Sequence, residues 1–540
     1  MKNKRISPIA AASSAFALLA VAAVIYFICG PMEGYVHSDF TDTIYWANAS
    51  LESGRVFDPN FRYAALLPFS ANLWFIPLIA IFGVSMTAQV IGMIIFALIF
   101  AASLWFMCRS LEWSVSWSSI TVGITMLILS SSVKLREIMW GHVIYYSLIL
   151  VLLFVGLGLA VRLLRKRTPT LCVLTALWAM LSATNGLQIV AMVLLPIAGG
   201  VLAEIFFNEK KKLTDKSNFY PLCVSVGIIL AGTVGLILLS VIKGDIRAGY
   251  AEAHMELTSV NNWDDNLLKL PKAWFGLLGF DEINKDLGKL PALLSALVGA
   301  VIAILPISLA FNYKKIEEVE TKLLLWAHLA VSAVTLVGWI CGALAGADWR
   351  ITSMLGTAIV TSVAAIRHFT KAKGDIEGGT VIKRVSVVIA ACLIVGAILG
   401  AAVMLRMPAD YGRDNLDHRL VEKLESEGLE YGYATFWRSQ TLTLISDSRV
   451  RTREIMVNEF DGVYTDYYQS SRAWYEDQKG VDRYFVLLEE YESGDAMRNE
   501  TWAEYVEEKQ PEIIEFENYF IYVFDENVDF GYLAEKQAKE

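Results

Sequence analysis

The chain has 540 residues, of which 55% are hydrophobic, and a mean hydropathy of +0.47. That exceeds the ordinary range of soluble domains and excludes a soluble globular protein. The net charge of −9 is unevenly spread. From Arg406 onward 15 basic residues face 31 acidic ones, giving −16, while the rest of the chain, with 31 against 24, carries +7. An acidic tail excludes nucleic acid as its partner.

A bilayer core of roughly 30 Å takes about 20 apolar residues per helix. In chain order the pattern predicts about eleven transmembrane helices, near 9–30, 86–107, 113–133, 142–161, 169–184, 187–206, 218–242, 290–312, 323–345, 350–366 and 385–405. The fifth and sixth share one charge-free run, 168–203, in which only Asn185-Gly186 marks a break. The apolar run 66–83 is short, contains Pro68 and Pro77, and is read as flat or re-entrant. Residues 1–30 have no small-x-small cleavage motif near Tyr26-Phe27-Ile28-Cys29, so the first span is read as an uncleaved helix rather than a signal peptide.

Basic residues set the expected orientation. With a cytoplasmic N-terminus, the inner segments hold 20 Lys plus Arg and the short outer segments hold 5. Eleven spans then put the C-terminus outside. The expected organisation is a transmembrane domain over 1–405, with outer loops 31–85 and 243–289, and an extracytoplasmic soluble α/β domain over 406–540. In that tail, Leu416, Leu420, Val421 and Leu424 have helical spacing, and strands are expected at 431–436, 441–445, 484–488 and 520–524. The six cysteines lie in or beside apolar spans, with no CxxC pair and no disulfide framework, and are read as small core residues.

Three outer clusters could carry chemistry. Asp39 and Asp42 follow the first span, where Ser38 could cap a helix running to Ser53 and ended by Gly54. A spacing of three puts both carboxylates on one helix face, and a carboxylate beside a low-dielectric bundle can act as a base. The plainer reading is two acids favoured by the helix dipole. The stretch from Lys134 to His142 adds Arg136, Glu137 and His142 at the outer ends of the third and fourth spans. It is either a ligand site or a solvated turn with an interfacial Trp140. Arg350, after Asp348-Trp349 at the start of the tenth span, is either a phosphate clamp or a topological anchor. His328, inside a span, is read as a packing residue.

The first outer loop then presents, in order, Asp39, Ala47, Leu51, Ser53, Gly54, Pro59, Phe61, Pro68 and Trp74. Phe82-Gly83-Val84-Ser85 precedes a long span, Ser182-Ala183-Thr184-Asn185-Gly186 follows the fifth, and the tail carries Tyr431-Gly432-Tyr433-Ala434-Thr435-Phe436-Trp437. This arrangement resembles the GT-C glycosyltransferases, in particular the bacterial aminoarabinose transferase and protein mannosyltransferase branch. Phe40 stands where that pattern often has Glu, and Asn185 where it often has Lys. The resemblance places the family's catalytic Asp on Asp39, with Asp42 close behind.

It implies a membrane glycosyltransferase that moves a sugar from a polyprenyl-phosphate donor, on the outer face, to an envelope glycan, lipid or protein. Asp39 or Asp42 would take the acceptor's proton, and Arg350 and Arg136 would meet the leaving phosphate. Glu137 and His142 could orient the acceptor or hold a divalent ion, although the sequence establishes no metal. The alternatives are a transporter or flippase of a lipid-linked or envelope precursor, and a non-catalytic envelope-assembly protein. Ion-coupled transporters place ionisable residues at mid-membrane, whereas this chain keeps nearly all of them at span ends.

Overall fold

The structure, a computed structural model, describes residues 7–207, 212–246, 257–371 and 379–537. Among them nine helices are long and apolar enough to cross a membrane: Pro8–Cys29, Met86–Ser110, Tyr145–Lys166, Leu187–Phe207, Lys216–Lys243, Lys289–Phe311, Val319–Ile340, Asp348–Thr370 and Thr380–Leu405. Val115–Ile128 and Val133–Gly141 qualify together as a tenth span, bent by 118°. The expected span at 169–184 is a helix of 15 residues, Pro169–Ala183, short of the roughly 20 that a bilayer core takes. The protein is therefore a polytopic α-helical membrane protein.

Local chemistry sets these boundaries. The Thr168 hydroxyl accepts from the Leu171 N–H, and Pro169 occupies the first helical turn, where its missing N–H costs nothing. Gly186, at φ +93°, separates this helix from the next. An L side chain rarely adopts that conformation, so the Asn185-Gly186 break in the apolar run is a backbone requirement. The run at 66–83 forms the helix Asn72–Phe82, with Pro77 inside it.

The described chain packs as two compact units. The first comprises 7–28, 94–207, 212–241, 257–371 and 379–408; the second comprises 29–93, 242–246 and 409–537. The composition boundary at residue 405 thus lies close to one edge of the second unit, which also takes in the first long loop. In the first unit, Asp348–Thr370 is almost entirely buried, and His328 packs within hydrogen-bond distance of Thr357, 2.9 Å away. Cys108 is buried, but Cys29, Cys172 and Cys223 are exposed on their helices. The core role expected of all six fails for these three, because an apolar helix surface facing lipid accepts a thiol as readily as a core does.

In the second unit a six-stranded sheet runs β3-β2-β1-β4-β6-β5. Its strands are β1 (Tyr431–Thr435), β2 (Arg451–Asn458), β3 (Gly462–Tyr464), β4 (Tyr484–Glu489), β5 (Glu512–Phe516) and β6 (Tyr519–Phe524). β1 pairs in parallel with β2 and β4, and the other pairings are antiparallel. One core gathers Tyr431, Tyr433, Ile455, Val486, Leu488, Trp502 and Phe524. The helix Leu416–Ser426 is capped by the Asn415 side chain.

The strand expected at 441–445 is instead the end of a helix, Phe436–Ile445. It forms the crossover between parallel β1 and β2, a connection that needs a helix's length. Ser439 to Ile445 are buried on every side, so no amphipathic period marked the helix. The Thr443 hydroxyl bonds back to the Ser439 carbonyl, which hides its polarity.

Glu454, inside β2, is fully buried. Burial and the neighbouring Asp466 carboxylate push its pKa up to about 9, against the opposing pull of Arg62. The folded state therefore holds a proton that the unfolded chain releases near pH 4.5, and the penalty for this grows as pH rises from there towards 9. Glu454→Gln should abolish that pH dependence. Unfolding of the full chain, followed by fluorimetry from pH 5 to 9, should show a steeper loss of stability in wild type than in the variant. Parallel curves would mean that Glu454 is not held neutral.

Candidate functional site

The first unit collects four of the six expected site residues. After the bend, the Ser132 hydroxyl caps a short turn through the Leu135 N–H, 3.1 Å away. Gly279, at φ +78°, lets the loop from 257 to 288 approach this bend; a Cβ there would lie 2.4 Å from the Ser131 carbonyl oxygen. Residues Glu137–Gly141 then form a π-helical turn, a widening often found where side chains must be re-aimed.

Lys134 Nζ lies 2.7 Å from the buried Glu137 carboxylate and 4.3 Å above the ring of Trp349. These contacts join the 130–142 and 346–350 segments. A cavity of about 330 Å³ opens between them, lined by Ser132, Lys134, Glu282, Gly346, Asp348 and Trp349. Arg136 is buried; its guanidinium donates to the Ser130 carbonyl at 3.0 Å and lies 5.8 Å from the ring of Phe27. Arg350 is also buried, and donates to the Ala343 carbonyl at 2.8 Å. His142 is buried at the end of the π-helical turn.

The second unit holds Asp39 and Asp42, and separates their environments. The expected single helix is divided in two: residues Ser38–Thr41 form a 3-10 turn and Asp42–Ser53 an α-helix, ended by Gly54 at φ +65°. His37 caps the turn in place of Ser38, since its Nδ1 accepts the Asp39 N–H at 3.3 Å. Ser38 instead donates to the Phe436 carbonyl.

Asp42 is buried and accepts from Gln469 Nε2 at 2.5 Å. Gln469 in turn accepts the Trp46 indole N–H at 2.7 Å, and its carbonyl accepts Gln440 Nε2 at 2.7 Å. Thr41 closes the network by donating to Gln440 Oε1 at 2.6 Å. Asp39 is less enclosed: its side chain is 36% exposed, with Oδ2 lying 4.0 Å from His37 Nδ1.

Around this pair, the His37 ring meets Trp437 edge-on at 5.8 Å. Asp417 lies nearby; burial pushes its pKa up, while Arg438, His418 and His37 pull it down. Glu33 is held below the usual carboxylate range by His418 and Arg413. Gln469 and Gln440 gave no signal in the sequence, since they lie some 400 residues from the loop they meet; Trp437 stood in the tail motif, but nothing there tied it to His37. His37 carried a signal, two positions before Asp39.

No protein-family model matches the chain, and no curated protein matches it. Solved structures do. ArnT from Cupriavidus metallidurans bound to undecaprenyl phosphate superposes with a TM-score of 0.54 at 11% identity, over 94% of this chain and 97% of that one. The same protein in its apo state gives 0.50 at 12% identity, over 94% and 96%. The oligosaccharyltransferase of Archaeoglobus fulgidus, in complex with Zn and sulfate, gives 0.51 at 12% identity, over 90% and 70%. This chain shares the fold of these proteins. The resemblance carried by the first loop and the tail is thus joined by a shared fold covering 94% of the chain.

The different surroundings of the two carboxylates generate a prediction. Gln469→Leu removes a donor from a buried carboxylate, a loss worth about 1–3 kcal/mol. Hydrogen exchange across 38–53 and 465–472 should rise roughly 5- to 150-fold. Asp39→Asn, at a half-exposed position, should leave exchange there nearly unchanged. Equal effects of the two substitutions would contradict the assignment of Asp42 to structure.

Proposed function

We propose that the protein is an integral-membrane glycosyltransferase that moves a sugar from a polyprenyl-phosphate donor to an envelope acceptor. The observation carrying this reading is the fold, shared over 94% of the chain with ArnT, which was solved with undecaprenyl phosphate, a polyprenyl phosphate. An oligosaccharyltransferase with the same fold points to the same class of reaction.

Asp39 is the base in this reading, because its side chain is 36% exposed and can be reached by an acceptor, while Asp42 is buried against Gln469. Asp39 accepts the proton of an acceptor hydroxyl as that oxygen attacks the anomeric carbon. The bond from that carbon to the phosphate oxygen breaks, its electron pair leaves with the lipid phosphate, and the anomeric centre inverts. Arg350 and Arg136 are assigned to the negative charge developing on the phosphate, since a guanidinium stays charged and binds phosphate in a bidentate manner. Glu137 and His142 are assigned to acceptor orientation.

His37 and Asp39 present an imidazole and a carboxylate 4.0 Å apart, nitrogen and oxygen donors of the kind that zinc takes. A bound divalent ion would polarise phosphate or acceptor oxygens. Loss of transfer in a chelator and its return with zinc would assign the pair to an ion.

The assay is transfer from a panel of polyprenyl-phosphate sugars to envelope extracts. Asp39→Asn should lower turnover about 10²- to 10⁴-fold, the usual cost of a positioned base. Arg350→Lys should lose activity although charge is kept, with Arg350→Ala losing more and binding donor more weakly. Wild-type silence with every donor, together with flux of lipid-linked precursor across vesicles, would replace the enzyme by a flippase.

Counted with the short helix Pro169–Ala183 as an eleventh crossing, the basic asymmetry, 20 against 5, supports a cytoplasmic N-terminus and an extracytoplasmic tail. A reporter active only outside the cytoplasm should work after Glu540, and a cytoplasmic reporter near Lys211. The opposite pattern would overturn the outer-face assignment of Asp39.

A further inference from the structure

Trp437 is 56% exposed, although an indole is among the most rewarding side chains to bury. Its main chain is nevertheless tied down. It lies in the first turn of the Phe436–Ile445 helix, and the carbonyl before it accepts the Ser38 hydroxyl. Its own carbonyl accepts the Thr441 hydroxyl at 3.1 Å, and the neighbouring Phe436 ring packs against Tyr468 at 5.3 Å. Beside it lie the edge of His37, at 5.8 Å, and through His37 the half-exposed Asp39 carboxylate. Behind, Arg438 is paired with Asp417 at 3.0 Å. The second unit thus brings together an exposed aromatic ring on an anchored main chain, an imidazole and a carboxylate.

We propose that Trp437, His37 and Asp39 form a saccharide subsite in which the ring of the acceptor sugar lies against the indole. A pyranose has an apolar C–H face and a rim of hydroxyls. An exposed indole bordered by hydrogen-bonding groups matches both, whereas an acyl chain matches only the indole. The acceptor in this assignment is a glycan or the sugar head of a glycolipid rather than a polypeptide. This rests on the transferase reading only in calling the sugar an acceptor; the binding itself does not require that reading.

The test is saturation-transfer NMR of the full chain in nanodiscs against a panel of methyl glycosides, for wild type, Trp437→Ala and Trp437→Phe. The expected result is binding of at least one glycoside, weakened about 5- to 10-fold in Trp437→Ala and largely kept in Trp437→Phe, with the same order in acceptor KM and little change in kcat. Absence of glycoside binding by wild type would overturn the proposal, as would unchanged binding in Trp437→Ala. Quenching of the indole by brominated lipids would also overturn it, by making Trp437 a membrane anchor. Binding lost in Trp437→Ala, in a protein that transfers no sugar from any donor, would uphold the subsite and reject the transferase.

Discussion

A carboxylate removed from water has to find donors, and Asp42 finds one 427 residues away in Gln469. Much of the second unit follows from that requirement. Gln469 is held in place by the indole of Trp46 and the side chain of Gln440, so loop and tail share one buried polar network. The tail backbone at Tyr467 and Gln469 adopts positive φ, 59° and 54°, the shape that lets this segment turn its amides onto the loop. Backbone pairing of Arg62 with Ser470 and of Asn60 with Arg472 continues the seam. A charge-assisted hydrogen bond in such a setting contributes more than a neutral one, and Asp39, three residues earlier, lies outside it with its side chain 36% exposed.

The first unit meets the same constraint with cations. Buried guanidinium groups are costly unless their donors are taken up, and both Arg136 and Arg350 donate to main-chain carbonyls. Those carbonyls are available because the helices end there. Ser130 lies in the 118° bend, and Ala343 lies in the turn after Val319–Ile340. Breaks in apolar helices thus create the acceptors that let basic residues sit at their ends, and the Lys134–Glu137–Trp349 contacts tie two such breaks together.

The spans were legible because length and hydropathy are local properties; the 350–366 run and its helix Asp348–Thr370 agree closely. So was the break at Asn185-Gly186, since only glycine is at ease at φ +93°. The bend within 113–133 was not, because Ser130-Ser131-Ser132 reads as mildly polar rather than as a corner. The helix at 436–445 was hidden for the opposite reason: wholly buried elements have no polar face to set a period. The short edge strand β3 and the exposed β5 carry too few alternating residues to announce themselves.

The sequence by itself determined that this is a polytopic membrane protein with an acidic tail, and it placed the candidate acids and cations at span ends, because charge and apolar run length act residue by residue. The order of the tail's strands, the capture of Asp42 by Gln469 and the placing of Trp437 beside His37 were decided only by tertiary structure. Each joins segments hundreds of residues apart, and no local preference of either segment encodes its partner. The difference in surroundings between Asp39 and Asp42 belongs to the same category: two identical side chains three residues apart differ only in what the fold brings to them.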